Sequence, residues 1–153
     1  QYPVYGGNGI LGNFSEYNVE DTVIIVGRVG EKCGNIHLVE NKSWISDNSL
    51  ILELFESNYY NWVSISLDTR DLNKLRNQSS QPLITGTQVK NETIPLPPKD
   101  EIKKITDFIN RQSELFFQRI KIENKRLKIF KEYRESLISS VVTGKVRVTE
   151  DMI

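Results

Sequence analysis

The last third of the chain constrains the fold most. IPLPP at 94–98 runs directly into an apolar-periodic segment that ends in YRESLISSVVTGKV at 133–146. Pro95, Pro97 and Pro98 favour an extended approach. Pro98 suits the first helical turn, Asp100 and Glu101 suit the positive helix N-terminus, and Thr143-Gly144 supplies a stop. The spacing predicts one helix over 99–141, about 43 residues and roughly 64 Å long at 1.5 Å per residue. That is about twice the width of a small domain, so part of it must meet another helix or another subunit. In a seven-residue frame from Ile102, positions 102, 109, 116, 123, 130 and 137 are Ile, Ile, Phe, Glu, Phe and Leu. A second row is poorer: Ile105 and Tyr133 support it, Gln112, Arg119 and Arg126 do not, and Ile120, Leu127 and Val141 fall one place later. That drift points to near-3.6 periodicity with coiled-coil character rather than a long zipper. The expected helix interface is Ile102, Ile105, Ile109, Phe116, Ile120, Leu127, Phe130 and Leu137.

Up to about residue 95 the signals are those of strands and turns. TVIIVGRVG at 22–30 is a β-branched run ending in glycine, NIHLVE at 35–40 alternates, and SLILELF at 49–55 is a further strand candidate. YYNWVSISL at 59–67 fits either a short helix or a strand, and LNKLRN at 72–77 suits a helical turn. The expected class is α+β: a small, irregular β-rich body over 1–95, then a long coiled-coil-like helical region over 96–153.

Charge narrows the functional classes. Residues 1–98 hold seven Lys or Arg against eleven Asp or Glu, and residues 99–153 hold thirteen against nine. Non-specific nucleic-acid affinity scales with the number of phosphates neutralised, so a nucleic-acid binder of this composition needs a local positive surface or a partner's. The single cysteine, Cys33, excludes an internal disulfide framework and points to a reducing, cytoplasmic compartment. No apolar run approaches a membrane span or a signal peptide. The chain opens at Gln1 without methionine, which reads as part of a longer protein.

Few motifs carry chemistry. GNGILG at 7–12 satisfies G-x-G-x-x-G, but a dinucleotide site needs a buried strand before it and an amphipathic helix after it. QYPVYG and NFSEYN do not supply them, and no cofactor is expected. The remaining readings are a glycine-permitted turn, or a loop lying close to a phosphate or base edge beside Tyr5 and Asn8. His37, the only histidine, has Cys33 four residues earlier but no further His or Cys to complete a metal site; it reads as a packed or surface residue. Asp47-Asn48 after Trp44 reads as a turn, with adenine readout by the amide as the alternative. With one histidine, no Ser-His-Asp or Cys-His set can be assembled, and no N-P-P-aromatic methyltransferase motif is present.

The segment 68–90 concentrates Arg70, Lys74, Arg76 and Lys90 with Asn77, Gln78, Ser79, Ser80, Gln81, Thr85 and Gln88. Such a cluster is often only solvated loop. These are also the side chains that hold phosphates and read base edges.

Six blocks together carry a family resemblance: YPVYGGNGILG at 2–12, IIVGRVGEKCGNIH at 24–37, WISDNSLIL at 44–52, SSQPLI at 79–84, IPLPPKDEIKKI at 94–105 and YRESLISSVVTGKV at 133–146. In this order they resemble the specificity (S) subunit of type I restriction-modification enzymes. The resemblance implies a target recognition domain at 1–95 and a helical spacer and dimerisation region at 96–153. In the family, a complete subunit has two such units with antiparallel helices, each recognition domain reading half of a bipartite DNA target. This chain has one unit, lacks the segment that usually precedes the YGGNG block, and has PKDEI at 98–102 where a Glu-Gln pairing is more usual. Chemistry in the family resides in methyltransferase (M) subunits and a restriction (R) subunit. The implied function is a non-catalytic module that directs them to double-stranded DNA. The expected DNA contacts are Tyr5, Gly7, Asn8, Arg70, Lys74, Arg76 and Gln81, and the expected helix partner is an antiparallel second copy or a second half-subunit. The competing readings are a pure protein-interaction module with a dimerising helix, and the specificity end of a fused restriction-methylation enzyme.

Overall fold

A computed structural model describes residues 1–77 and 80–150; Gln78, Ser79 and 151–153, all within expected functional segments, lie outside the described residues. The chain divides into two compact units, Gln1–Ile102 and Lys103–Ile153.

The first unit is built on two three-stranded sheets. One contains β1 (Tyr2–Gly6), β2 (Gly9–Phe14) and β5 (Trp44–Ile45) in the order β2-β1-β5; β1 runs antiparallel to β2 and parallel to β5. The other contains β3 (Val23–Gly27), β4 (Ile36–Val39) and β6 (Ser49–Leu52) in the order β4-β3-β6, antiparallel throughout. All five residues of β3 are buried, which explains why VIIVG is a continuous apolar run rather than an alternating one. From one face Val26 packs with Cys33, Leu72, Ile84 and Val89. From the other, Val23 and Ile25 pack with Val39, Ile45, Tyr5 and Val19.

The ambiguous 59–67 run is helical, as α1 (Tyr60–Asp68), and packs on β4. LNKL forms a single 3-10 turn at Leu72–Leu75. The glycine-permitted turn read in GNGILG is the turn of the β1–β2 hairpin: Gly7 and Asn8 turn, the residues on either side are strands, and Leu11 bulges where the register shifts between Val4↔Gly12 and Tyr5↔Ile10. The polar segment expected as one cluster contains α2 (Gly86–Lys90), started by a capping box between Thr85 and Gln88.

The proline-rich approach is tied down through its carbonyls, which need no N–H of their own. Trp62 Nε1 donates to Pro95 O at 2.9 Å, and the Arg70 guanidinium donates to Thr93 O. Pro98 then stands just before α3 (Lys99–Val142), where its carbonyl accepts from the N–H groups of Glu101 and Ile102. Gly144 ends the helix at φ 73°, a left-handed conformation that favours glycine.

The second unit consists of the rest of α3 and the residues after it. Its expected stripe is largely uncovered: Phe116, Ile120, Leu127, Phe130 and Leu137 are 46–62% exposed. Ile105 and Ile109 are half-buried. Ile102 is 4% exposed and belongs to the β-rich unit. A second apolar row, Phe108, Leu115, Ile122 and Ile129, repeats every seven residues and is also exposed. At 3.6 residues per turn, Gln112, Arg119 and Arg126 fall between the two rows, and Arg126 pairs with Glu123 at 2.9 Å.

Candidate nucleic-acid interface

Polar and basic groups of the first unit gather around one connection, the 28–35 segment RVGEKCGN between β3 and β4. It is pinned along its length. Arg28 N–H donates to Asn48 O at 2.8 Å, and Arg28 O accepts from Ile84 N at 2.9 Å. Gly30 N–H donates to Pro82 O at 2.8 Å. Asn73 Nδ2 reaches both Glu31 O and Cys33 O at 2.8 Å. Gly34, at φ 94°, sits so close to the 72–73 turn that a Cβ would lie 2.5 Å from Asn73 N. Buried Cys33 faces Leu72 and Ile84, and burial pushes its thiol pKa up against the opposing charge of Arg76.

The β1–β2 turn approaches this connection from the other side. A Cβ on Gly7 would lie 2.9 Å from Asn48 O and 3.6 Å from Arg28 N, so the glycine is explained by close packing of the turn rather than by a cofactor. Exposed Asn8 accepts a 2.9 Å hydrogen bond from Asn35 Nδ2. Beneath the hairpin, His37 lies near Gly9 and Tyr5, and its Nε2 is buried without a hydrogen-bond partner among the described residues. Burial lowers its pKa below the usual imidazole value, opposed by the Asp68 charge.

The expected DNA contacts separate into groups. Gly7 and Asn8 border the 28–35 connection on the hairpin side; Arg76 borders it on the other, donating to Glu31 O at 3.4 Å. Tyr5 is half-buried in the core, with its carbonyl accepting from Ser46 N. Arg70 is committed to Thr93 O and lies 3.9 Å from Glu92. Lys74 pairs with Asp71 at 3.2 Å, and Gln81 is exposed. Asp47-Asn48 is a turn, and the Asn48 carbonyl holds Arg28.

Among the cations of residues 1–98, Lys42, Arg70 and Lys74 stand within 4 Å of a carboxylate, whereas Arg28, Lys32, Arg76 and Lys90 have no ion pair among the described residues. Three of these four, Arg28, Lys32 and Arg76, are on or against the 28–35 connection, which itself contains one acid, Glu31; of the acids on the segments packed against it, Asp71 is paired with Lys74 and Asp47 precedes Asn48. A mildly acidic body therefore presents a locally positive edge bordered by amides. Sequence clustering directed attention to 68–90 and missed Arg28 and Lys32. The available signal was that both lie in a glycine-bounded connection following a fully apolar strand.

Among the described residues no group of three or more His, Cys, Asp or Glu is placed to hold a metal ion, and no helix is long and apolar enough to cross a membrane.

A family model described as "Type I restriction modification DNA specificity domain" matches residues 1–130. The chain belongs to this family. Its sequence is 27% identical over 81 residues to the type I restriction enzyme EcoprrI specificity subunit of Escherichia coli, a match covering 53% of this chain and 20% of that protein. Its fold is similar to the crystal structure of the type I restriction-modification system S subunit from M. genitalium, with a TM-score of 0.65 at 17% identity over 92% of this chain and 38% of the other. The DNA specificity domain thus spans well under half the length of both relatives. What it shares with the second is the α+β arrangement of small sheets followed by the long C-terminal helix.

Proposed function

We propose that the chain is a DNA sequence-recognition module, half of a specificity subunit, that directs methyltransferase and restriction subunits to a bipartite double-stranded target and performs no catalysis itself. The observation that carries this reading is the convergence of Arg28, Lys32 and Arg76 with Asn8 and Asn35 around the 28–35 connection. Guanidinium and ammonium groups neutralise phosphates, while amides and guanidinium forks read base edges. The residues proposed to meet DNA are Tyr5, Gly7, Asn8, Arg70, Lys74, Arg76 and Gln81, with 1–95 as the recognition domain.

Region 96–153 is proposed as the spacer that pairs the module with another copy or half-subunit. Phe116, Ile120, Leu127, Phe130 and Leu137 supply an apolar row that a dissolved helix does not leave open without cost. An antiparallel two-fold pairing would set two recognition domains at a fixed separation. The second row is available to methyltransferase subunits.

The test compares the isolated chain with its complex with methyltransferase subunits, on duplexes carrying single-base changes at two salt concentrations. The expected result is weak, base-indifferent binding alone and base-dependent binding in the complex, with no methylation or cleavage by the isolated chain given S-adenosylmethionine and magnesium. Lys74→Ala or Arg76→Ala weakens all duplexes alike and flattens the salt dependence. Asn8→Ala or Gln81→Ala costs about 1–3 kcal/mol at one position. Turnover by the purified chain, or base-indifferent binding by the complex, overturns the reading.

A further inference from the structure

Arg28 combines a side chain without an ion pair among the described residues with a main chain held at both its N–H and its carbonyl. The residue is exposed, and its guanidinium has no hydrogen bond or ion pair among the described residues. Its main chain is clamped on both sides, the N–H by Asn48 O at 2.8 Å and the carbonyl by Ile84 N at 2.9 Å. A free side chain on a fixed backbone loses little main-chain entropy when it meets a ligand.

The surroundings suit a base edge better than a phosphate. The β1–β2 turn abuts the Arg28 backbone through Gly7, and the turn's Asn8 is bonded to Asn35, at the far end of the same connection. Asn8 and Asn35 therefore place a bonded pair of neutral amide groups, with both donors and acceptors, on the turn and the connection that adjoin the Arg28 backbone. A phosphate needs only donors. A base pair in the major groove presents a mixed pattern, in which guanine offers N7 and O6 as paired acceptors for a guanidinium fork and adenine offers a donor and an acceptor for an amide.

We infer that Arg28 recognises a guanine in this chain's half of the DNA target, with the bonded Asn8–Asn35 pair placed to contact the neighbouring base. This rests on the DNA-recognition reading above and adds a residue to it. Lys32, on the same connection but with a single-point ammonium, is assigned to phosphate.

The test uses the chain assembled with its methyltransferase subunits. A preferred duplex is first selected from a randomised duplex pool, and affinities are then measured for all its single-base variants at one salt concentration. Arg28→Ala is expected to weaken the preferred duplex roughly 5- to 150-fold and to equalise the four bases at one G·C position, leaving preferences elsewhere intact. Arg28→Lys, which keeps the charge and loses the planar fork, is expected to lose discrimination at the same position. Lys32→Ala is expected to weaken every duplex by a similar factor. Uniform weakening by Arg28→Ala, unchanged binding, or full discrimination by Arg28→Lys would overturn the assignment alone. A wild-type complex that selects no preferred duplex overturns the DNA-recognition reading and this assignment with it.

Discussion

Apolar side chains on β3 are packed on both faces, and along α3 most apolar side chains face outward. Ile24, Ile25 and Val26 on β3 have no exposed surface, while Phe116 and Phe130, on a helix with its own backbone hydrogen bonds satisfied, are each about three-fifths exposed. A strand is held by neighbours on both edges and faces, so its sequence must be apolar throughout to be buried. A helix is complete in its backbone and shows through its surface rows what it still lacks. The core of the body is closed by its own residues, whereas α3 leaves its apolar rows exposed.

The sharpest way to break that comparison is to remove equivalent apolar bulk from each region. Ile25→Ala should lower the unfolding free energy by about 2–5 kcal/mol at any protein concentration. Phe116→Ala or Phe130→Ala should change the stability of the dilute, unpaired chain by no more than about 0.5 kcal/mol, yet cost about 3–5 kcal/mol where the helix is paired. Denaturation across a concentration series, alongside sedimentation, separates the two. A full phenylalanine cost already present in the dilute chain would mean that α3 does not depend on a partner.

The same contrast can be sharpened within the body by glycines. A Cβ on Gly34 would meet the Leu72–Asn73 backbone at 2.5–2.7 Å, and φ is 94°; one on Gly12 meets nothing within 4 Å. Gly34→Ala should therefore destabilise by roughly 1–3 kcal/mol and loosen the 28–35 connection, while Gly12→Ala should be nearly silent in thermal unfolding. Equal effects would show that the connection is not seated on the 72–75 turn.

Legibility in the sequence follows the same division. The apolar run of β3 and the proline and glycine bounds of α3 are local signals, and they place those elements closely. The β1–β2 hairpin was hidden because glycine and asparagine have poor strand propensity; its strands exist through pairing with each other and with β5. The helical choice for 60–68 comes from packing on β4, which no local pattern of aromatic and β-branched residues specifies. A frame started at Ile102 sampled one apolar row of α3 and passed over Phe108, Leu115, Ile122 and Ile129, one residue earlier. For the candidate site the obstacle is pairing. Arg70 looks like a free cation in sequence, and only the fold puts Thr93 and Glu92 beside it, while Lys74 meets Asp71 three residues earlier and Arg28 has no ion pair among the described residues.

A smaller effect tests an element that the polar composition concealed. Thr85 Oγ1 accepts from Gln88 N, and Gln88 Oε1 accepts from Thr85 N at 2.9 Å, while Gln88 Nε2 donates to Leu75 O at 2.6 Å. Thr85→Ala should cost about 1 kcal/mol by urea unfolding. Thr85→Ser should recover most of it, and a Ser variant as weak as Ala would indicate lost packing rather than a lost cap.

The smallest expected effect is the pH dependence of the hairpin's support. His37 has its pKa lowered by burial, with Asp68 on α1 opposing the shift, and Tyr5 and Gly9 cover it from the hairpin. The unfolded chain therefore takes up the His37 proton at higher pH than the folded one. It follows that the contribution of neutral His37 is fully present above the ordinary imidazole value of about 6.5 and is lost as pH falls through the lower folded value. A His37→Gln variant lacks this titration. The stability difference between wild type and variant, measured by urea unfolding at closely spaced pH values, should be flat above about pH 7 and shift against wild type below it, before the carboxylates dominate. A shift in favour of wild type on acidification would mean that Asp68 outweighs burial and that the imidazole is held charged beneath the hairpin.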